Sequence, residues 1–328
     1  MSTSIEKRGR ALVRSRYHVL RTTYCVPIFL LLVLPLAAQQ AFRSTVQTVA
    51  LYATVVDSTG RLVPDLAREH FEVYDNGKPQ ELTFFENSVQ PIRVVVLLDT
   101  SGSMTLYLDR LKQAAEQFVI RLLPEDRARI GSFSDKIWIS PTFTSNRDDL
   151  IRSLHNDIQF GNPTRLWDAV DDGMSALSRE QGRRVVLVFT DGEDSFSKKA
   201  DDDSVLQRAL QEEFMIYAIG LRTSFRAANG MLIESRPDRK LKQLAEQTGG
   251  GFLDLTRPTD LGAAFTRVAD ELHRQYVLGF SPSVLDGKVH PLEVRVKVPG
   301  MTARSRRSYI ARREGTEVSG IKQPDLRR

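Results

Sequence analysis

The sequence predicts an α/β protein: a doubly wound, mostly parallel sheet flanked by a small β-sandwich formed from N- and C-terminal strands. Three observations predict it. Val94–Asp99 (VVVLLD) is an unbroken apolar run, as expected of a strand buried on both faces. From there to residue 274, strand-like and helix-like segments alternate, the pattern of a parallel sheet covered on both sides. On either side of that region lie short runs rich in β-branched residues. Two or three strands alone are marginal in water, so the two flanks should pack on each other.

The chain opens on a leader. Residues 1–38 hold six bases and one acid, and Val26–Ala38 (VPIFLLLVLPLAA) is apolar. Thirteen apolar residues suit the core of an export signal peptide better than a membrane span of about 20, and Pro27 and Pro35 oppose a regular spanning helix. The expectation is a signal peptide over 1–38, cleaved after Ala38, and a periplasmic or secreted protein. The alternative is an uncleaved anchor to the inner membrane through residues 26–38. Cys25 is the only cysteine and precedes the apolar run. The mature chain would therefore have neither a disulfide nor a catalytic thiol.

Residues 42–90 form the N-terminal β-rich segment. VQTVALYATVVDSTGRLV alternates, with a turn at Asp57 to Gly60. FEVYDNGKPQELTFF places Asn76-Gly77 between two alternating runs, a strong hairpin signal. Asp57 and Asp75 are read as turn residues.

Residues 91–274 form the α/β domain. After strand 94–99 comes a helix over 106–123, with Leu108, Leu111, Ala115, Phe118 and Leu122 near helical spacing. Then follow strand 129–134, edge strand 137–140, helices 147–156 and 165–178, and strand 184–190. Helix 202–212, strand 214–221, helix 238–247, strand 251–255 and helix 260–273 complete it. Asp201–Asp203 charge a helix start. Gly249–Gly251 end a helix as a cap. Residues 275–312, with QYVLGF, PLEVRVKV (291–298) and a last run ending near Ile310, form the C-terminal β-rich segment. Residues 313–328 read as a disordered tail.

Composition narrows the function. The 328 residues are 41% hydrophobic and 27% charged, ordinary globular values that exclude a disordered or collagenous chain. The net charge is +5, and the leader accounts for it, leaving 40 bases and 40 acids in residues 39–328. That balance gives no argument for a nucleic-acid partner. No GxxxxGK[ST] or GxSxG sequence is present, and the five histidines show no metal-pair spacing.

In open α/β sheets, ligands sit beyond the carboxyl ends of the strands. Strand 94–99 ends in Asp99-Thr100-Ser101-Gly102-Ser103-Met104. Strand 184–190 ends in Thr190-Asp191-Gly192-Glu193-Asp194. Gly161-Asn162-Pro163-Thr164 leads into helix 165–178. Two carboxylates and three hydroxyls are thus carried to one sheet edge. An all-oxygen set favours a hard divalent cation, Mg²⁺ ahead of Mn²⁺ or Ca²⁺. Glu193 and Asp194 read as loop charges.

Asp99-x-Ser101-x-Ser103 with Thr164 and Asp191 resembles, at all five positions, the metal-ion-dependent adhesion site of von Willebrand factor type A domains. The resemblance covers about residues 92–274. The framing by short β-rich pieces is similar to that of bacterial exported proteins carrying such a domain. It implies hydroxyl contacts to the metal from Ser101, Ser103 and Thr164, and direct or water-mediated contacts from Asp99 and Asp191. It also implies a partner protein whose carboxylate completes the shell. Two alternatives stand beside a binding module: a metal-dependent hydrolase using the same oxygens, and a structural component of an envelope assembly. No general base is evident for the hydrolase.

Residues 222–237 (RTSFRAANGMLIESRP) exceed the usual connection of about 4–6 residues and leave the same rim. Asn229-Gly230 with its apolar neighbours predicts a projecting hairpin, and Phe225, Asn229, Met231 and Leu232 are the candidate partner-binding residues.

Overall fold

The computed structural model describes residues 48–226 and 230–312. The leader, Cys25, the tail 313–328 and Asn229 lie outside the described residues. Among the described residues no helix is long and apolar enough to cross a membrane.

The N-terminal piece comprises β1 (Val49–Val56), β2 (Phe71–Asp75), β3 (Lys78–Gln80) and β4 (Leu82–Glu86). Asn76 and Gly77 link β2 to β3 at φ of 50° and 73°. A two-residue turn that follows the strand twist needs two positive φ values, and Asn-Gly supplies them with least strain. Asp57 also closes a turn, accepting from the Thr59 and Arg61 amides.

The central layer is β5 (Ile92–Asp99), α1 (Leu108–Ile120), β6 (Arg127–Phe133), β7 (Ile137–Ile139), α2 (Arg147–Asn156), α3 (Leu166–Leu177) and β8 (Arg183–Thr190). It continues through α4 (Asp202–Gln211), β9 (Met215–Leu221), the hairpin β10 (Thr223–Arg226) and β11 (Leu232–Ser235), α5 (Arg239–Gln247), β12 (Phe252–Leu255) and α6 (Leu261–His273). Six of these strands form one sheet in the order β12-β9-β8-β5-β6-β7. All pair in parallel except edge strand β7.

Alternation decides which helix each side chain meets. Val94, Val96 and Leu98 face α1, α2 and α6, whereas Val95 and Leu97 face α3, α4 and α5. All five are essentially inaccessible. Burying each contributes roughly 1.5–3 kcal/mol, so β5 anchors both layers.

The chain then returns to strands: β13 (Tyr276–Phe280), β14 (Val289–Val296), β15 (Thr302–Arg304) and β16 (Ser308–Ile310). They join the N-terminal strands in two antiparallel sheets, β15-β1-β13-β4 and β16-β14-β2-β3. One core lies between them, containing Leu51, Phe71, Val73, Leu278, Phe280 and Leu292. The sandwich expected from the two flanks is thus present. Gln275 ties it to the central sheet by donating to Thr54 Oγ1 (3.0 Å) and Tyr217 Oη (3.2 Å).

Several local expectations are corrected. The helix expected over 106–123 begins at Leu108, because Gly102–Met104 forms a 3₁₀ turn first and Leu106 is 79% exposed. The strand expected over 291–298 starts at Val289, since His290 points inward. The last run divides into β15 and β16, one for each sheet. Asp75 is more than a turn residue. It is buried, accepts from Tyr309 Oη (3.0 Å) and sits 2.9 Å from His290 Nδ1.

Candidate metal centre

The chain leaves β5 toward β6 on one side and returns to β8 on the other. The carboxyl ends of β5 and β8 are therefore adjacent at the point where the winding reverses, with Leu98 opposite Phe189. Ligand sites of doubly wound sheets form at such a crevice.

Asp99 closes β5 and is fully buried. Its Oδ1 accepts the Ser101 amide (2.9 Å), and its Oδ2 accepts the Thr190 hydroxyl (2.6 Å). Ser101 opens the 3₁₀ turn, so that turn brings Ser103 back beside it, with the two Oγ atoms 3.2 Å apart. Ser103 Oγ donates to Asp191 Oδ1 at 2.7 Å. Four of the five expected ligands, Asp99, Ser101, Ser103 and Asp191, are thus linked by short contacts.

Thr164 reaches the rim by a different route. Its amide donates to Ser195 Oγ (3.1 Å), and its carbonyl accepts from the amides of Ser195 (3.0 Å) and Phe196 (3.1 Å). Gly161 N donates to the Thr100 carbonyl (3.2 Å), and Gly102 N donates to Asn162 Oδ1 (3.3 Å), docking the 161–164 segment onto the turn after β5. Among the described residues no hydrogen bond joins the Thr164 hydroxyl to the other four. A Cβ at Gly161 would lie 1.9 Å from Asp135 Oδ1, so any larger residue here must displace the Asp135 side chain.

The electrostatics are unusual for two acids. Burial raises the Asp99 carboxyl to about 6, and the nearby Asp191 charge adds to the rise against the hydrogen bonds from Ser101 and Thr190. Burial raises Asp191 as well. Among the described residues neither is paired with a Lys or Arg. Two buried, unneutralised carboxylates beside two converging hydroxyls fit a hard divalent cation. No three His, Cys, Asp or Glu side chains converge among the described residues, so such a cation would depend on hydroxyl oxygens as much as on carboxylates.

Sequence reasoning missed the residues that hold this arrangement. Thr223, at the base of the hairpin, donates to Asp191 Oδ2 (2.8 Å), and Ser235 at its other base donates to the Asp191 carbonyl (2.7 Å). Asp194 was read as a loop charge. It accepts from the Leu166 amide (2.8 Å) and the Ser197 hydroxyl (2.5 Å), capping α3 just beyond Thr164. Asp168 is buried and binds the amides of Lys198, Lys199 and Ala200 together with Arg165. Burial opposes its charge, but those donors outweigh burial and bring it down to about 2. The cluster of Asp and Ser over 191–197 was the available signal, since these side chains bond nearby amides in loops.

Of the hairpin residues singled out, Asn229 and the Phe225 side chain lie outside the described residues. The Phe225 backbone pairs with Ile233, and Met231 and Leu232 are more than half exposed.

Residues 94–193 match the family model of the von Willebrand factor type A domain. No protein of curated function matches the chain. Similar solved structures include a von Willebrand factor type A protein from Catenulispora acidiphila, at 12% identity over 80% of this chain and 75% of that one, with a TM-score of 0.49. An aerotolerance-related membrane protein from Bacteroides fragilis is 16% identical over 55% of this chain and 98% of its own, with a TM-score of 0.46. A proximal thread matrix protein from the mussel byssus, with a zinc-occupied metal-ion-dependent adhesion site, is 14% identical over 59% and 48%, with a TM-score of 0.48. The matched stretch contains all five expected ligands, and together with the doubly wound sheet it supports a von Willebrand factor type A domain in this chain.

Proposed function

We propose that this chain is an exported, metal-dependent binding module. Asp99, Ser101, Ser103, Thr164 and Asp191 hold one divalent cation, Mg²⁺ ahead of Mn²⁺ or Ca²⁺. A partner protein supplies a carboxylate to it. The observation that carries the reading is the pair of buried, unneutralised carboxylates next to two serine hydroxyls at the switch point. Two carboxylates would balance the charge of the bound cation, but five protein oxygens would leave its shell of six or more incomplete, which makes an acidic side chain an attractive further ligand.

The surroundings favour binding over turnover. Leu106, Phe160, Phe196, Met231 and Leu232 are large apolar side chains, each 44% exposed or more, on the loops that carry or adjoin the five ligands. Exposed apolar groups on the loops beside a polar centre suit a protein partner. The histidines of the described residues are engaged elsewhere: His155 with Glu116, His273 with Asp126, His290 with Asp75, and His70 with the Ala67 amide. The hydrolase reading therefore lacks a histidine base at the cluster.

Calorimetric titration of the purified protein with Mg²⁺ tests the reading. One site is expected, and Asp99→Ala or Asp191→Ala should abolish it with an unchanged circular dichroism spectrum. Undiminished affinity in either variant sinks the assignment. Partner capture with and without a chelator tests the second half. N-terminal sequencing tests export, and an intact Met1 or Ser2 in the membrane fraction would establish the anchor instead.

A further inference from the structure

At the seam between the central sheet and the sandwich lies a cavity of about 90 Å³. Arg183, Arg184 and Arg306 line it against a single carboxylate, Glu213, and Tyr52, Phe214 and Met215 contribute much of its apolar wall.

Arg183 is the anomaly. It is 3% exposed, yet among the described residues no Asp or Glu forms an ion pair with it. Its Nη1 donates to Gln275 Oε1 (2.8 Å) and its Nη2 to the Gln90 carbonyl (2.9 Å). Among the described residues its Nε–H has no hydrogen-bond partner. The ring of Tyr52, 5.3 Å away, gives the guanidinium only partial compensation. Buried guanidinium groups are normally paired with an anion, and removing the partner of a buried pair is costly. Glu213 beside them adopts φ of 60° in the left-handed turn that ends α4, where the Phe214 amide donates back to the Ala209 carbonyl. Glu213 answers Arg306 at 2.7 Å, and Arg306 Nη2 also donates to the Ala50 carbonyl (2.9 Å), so among the described residues Arg183 and Arg184 are left without a counter-charge.

We propose that this cavity binds a small organic carboxylate with a short aliphatic body. Its carboxylate is held by Arg183 and Arg184, and its carbon skeleton lies against Tyr52 and Phe214. The planar guanidinium fork matches a carboxylate. The apolar wall is wasted on an inorganic anion, and the volume falls below the roughly 150 Å³ that accommodates benzene, so the guest is short and aliphatic. The site is separate from the proposed metal centre. Arg183 opens β8 and Thr190 closes it, which puts the two about 23 Å apart along the strand.

The test is thermal unfolding of the purified full chain with sodium isobutyrate, with isobutyramide as neutral isostere and with phosphate, all at equal ionic strength. A saturable rise in Tm with isobutyrate and none with the amide or phosphate is expected. Arg183→Gln should abolish the rise. Arg183 also braces Gln275 and Gln90, so Arg184→Gln, which keeps those bonds, is the second variant and should weaken binding at least tenfold. Asp191→Ala should leave the rise intact, which separates this site from the metal reading. Overturning results are no rise with isobutyrate, an equal rise with isobutyramide or phosphate, or a rise that survives both arginine variants.

Discussion

The hydroxyl of Thr223 donates a 2.8 Å hydrogen bond to Oδ2 of Asp191, the carboxylate whose other oxygen is held by Ser103. A residue at the foot of the hairpin thereby fixes one end of the candidate metal centre. Thr223→Val should remove that bond, let the carboxylate turn, and weaken Mg²⁺ by roughly ten- to a hundredfold, the value of one hydrogen bond to a charged group. Thr223→Ser should restore it. Calorimetric Kd values for the three proteins decide the matter, and equal values would show that the bond is incidental.

Replacing residues 225–233 by a Gly-Ser bridge keeps Thr223 and Ser235 in place. Mg²⁺ affinity should then be unchanged while partner capture weakens, because the exposed Met231 and Leu232 are lost. Asp191→Ala should remove both. Unchanged capture by the shortened protein would exclude the hairpin as a recognition element.

Asp168 makes a prediction about acid. An unfolded Asp titrates near about 3.9, whereas in the folded chain Asp168 is held at about 2. Between those values the unfolded chain binds more protons, so this contribution is complete above about pH 4 and is lost as pH falls toward 2. It amounts to about 2.5 kcal/mol. Asp168→Asn should therefore destabilise the protein by about 2 kcal/mol at pH 7 and by much less at pH 2.5. Urea unfolding at both pH values measures it, and equal losses would contradict the assignment.

Gly250→Ala probes the opposite end of the sheet. The added Cβ would lie 1.9 Å from the backbone oxygen of Ile216, a contact that no side-chain adjustment relieves. A loss of about 3 kcal/mol or more is expected in chemical unfolding, in the range of severe core changes. A loss below about 1 kcal/mol would mean that the strand start shifts freely.

Much of this was legible in the sequence because it was local. Helix 147–156 was read with its observed ends, since Asn146 caps it and Leu150 and Leu154 share one face. The Val94–Asp99 run announced a strand with two buried faces, and Asn76-Gly77 announced its hairpin. The rest depends on partners far along the chain. Asp75 looked like a turn residue because His290, 215 residues later, cannot be inferred from its neighbours. Thr223 looked like loop because its bond to Asp191 exists only once the two strand ends stand side by side. Asp194 was underestimated for the same reason, since the helix it caps lies 28 residues before it.

The first strand has to wait for its partners. Thr54 on β1 meets Gln275 across 221 residues, and the strands that pair with β1 among the described residues are β13 and β15. Closing so long a loop in a flexible chain is slow, but a folded central layer shortens the path, because α6 ends at His273 and β13 begins at Tyr276. The order of assembly is therefore imposed by connectivity: the central layer consolidates, α6 docks, and the returning strand is delivered to β1. On an emerging polypeptide β1 would be made first and completed last, with its strand edges open throughout. A chain truncated before Tyr276 should leave that edge permanently unsatisfied and prone to self-association, even with the rim that carries the candidate metal centre intact.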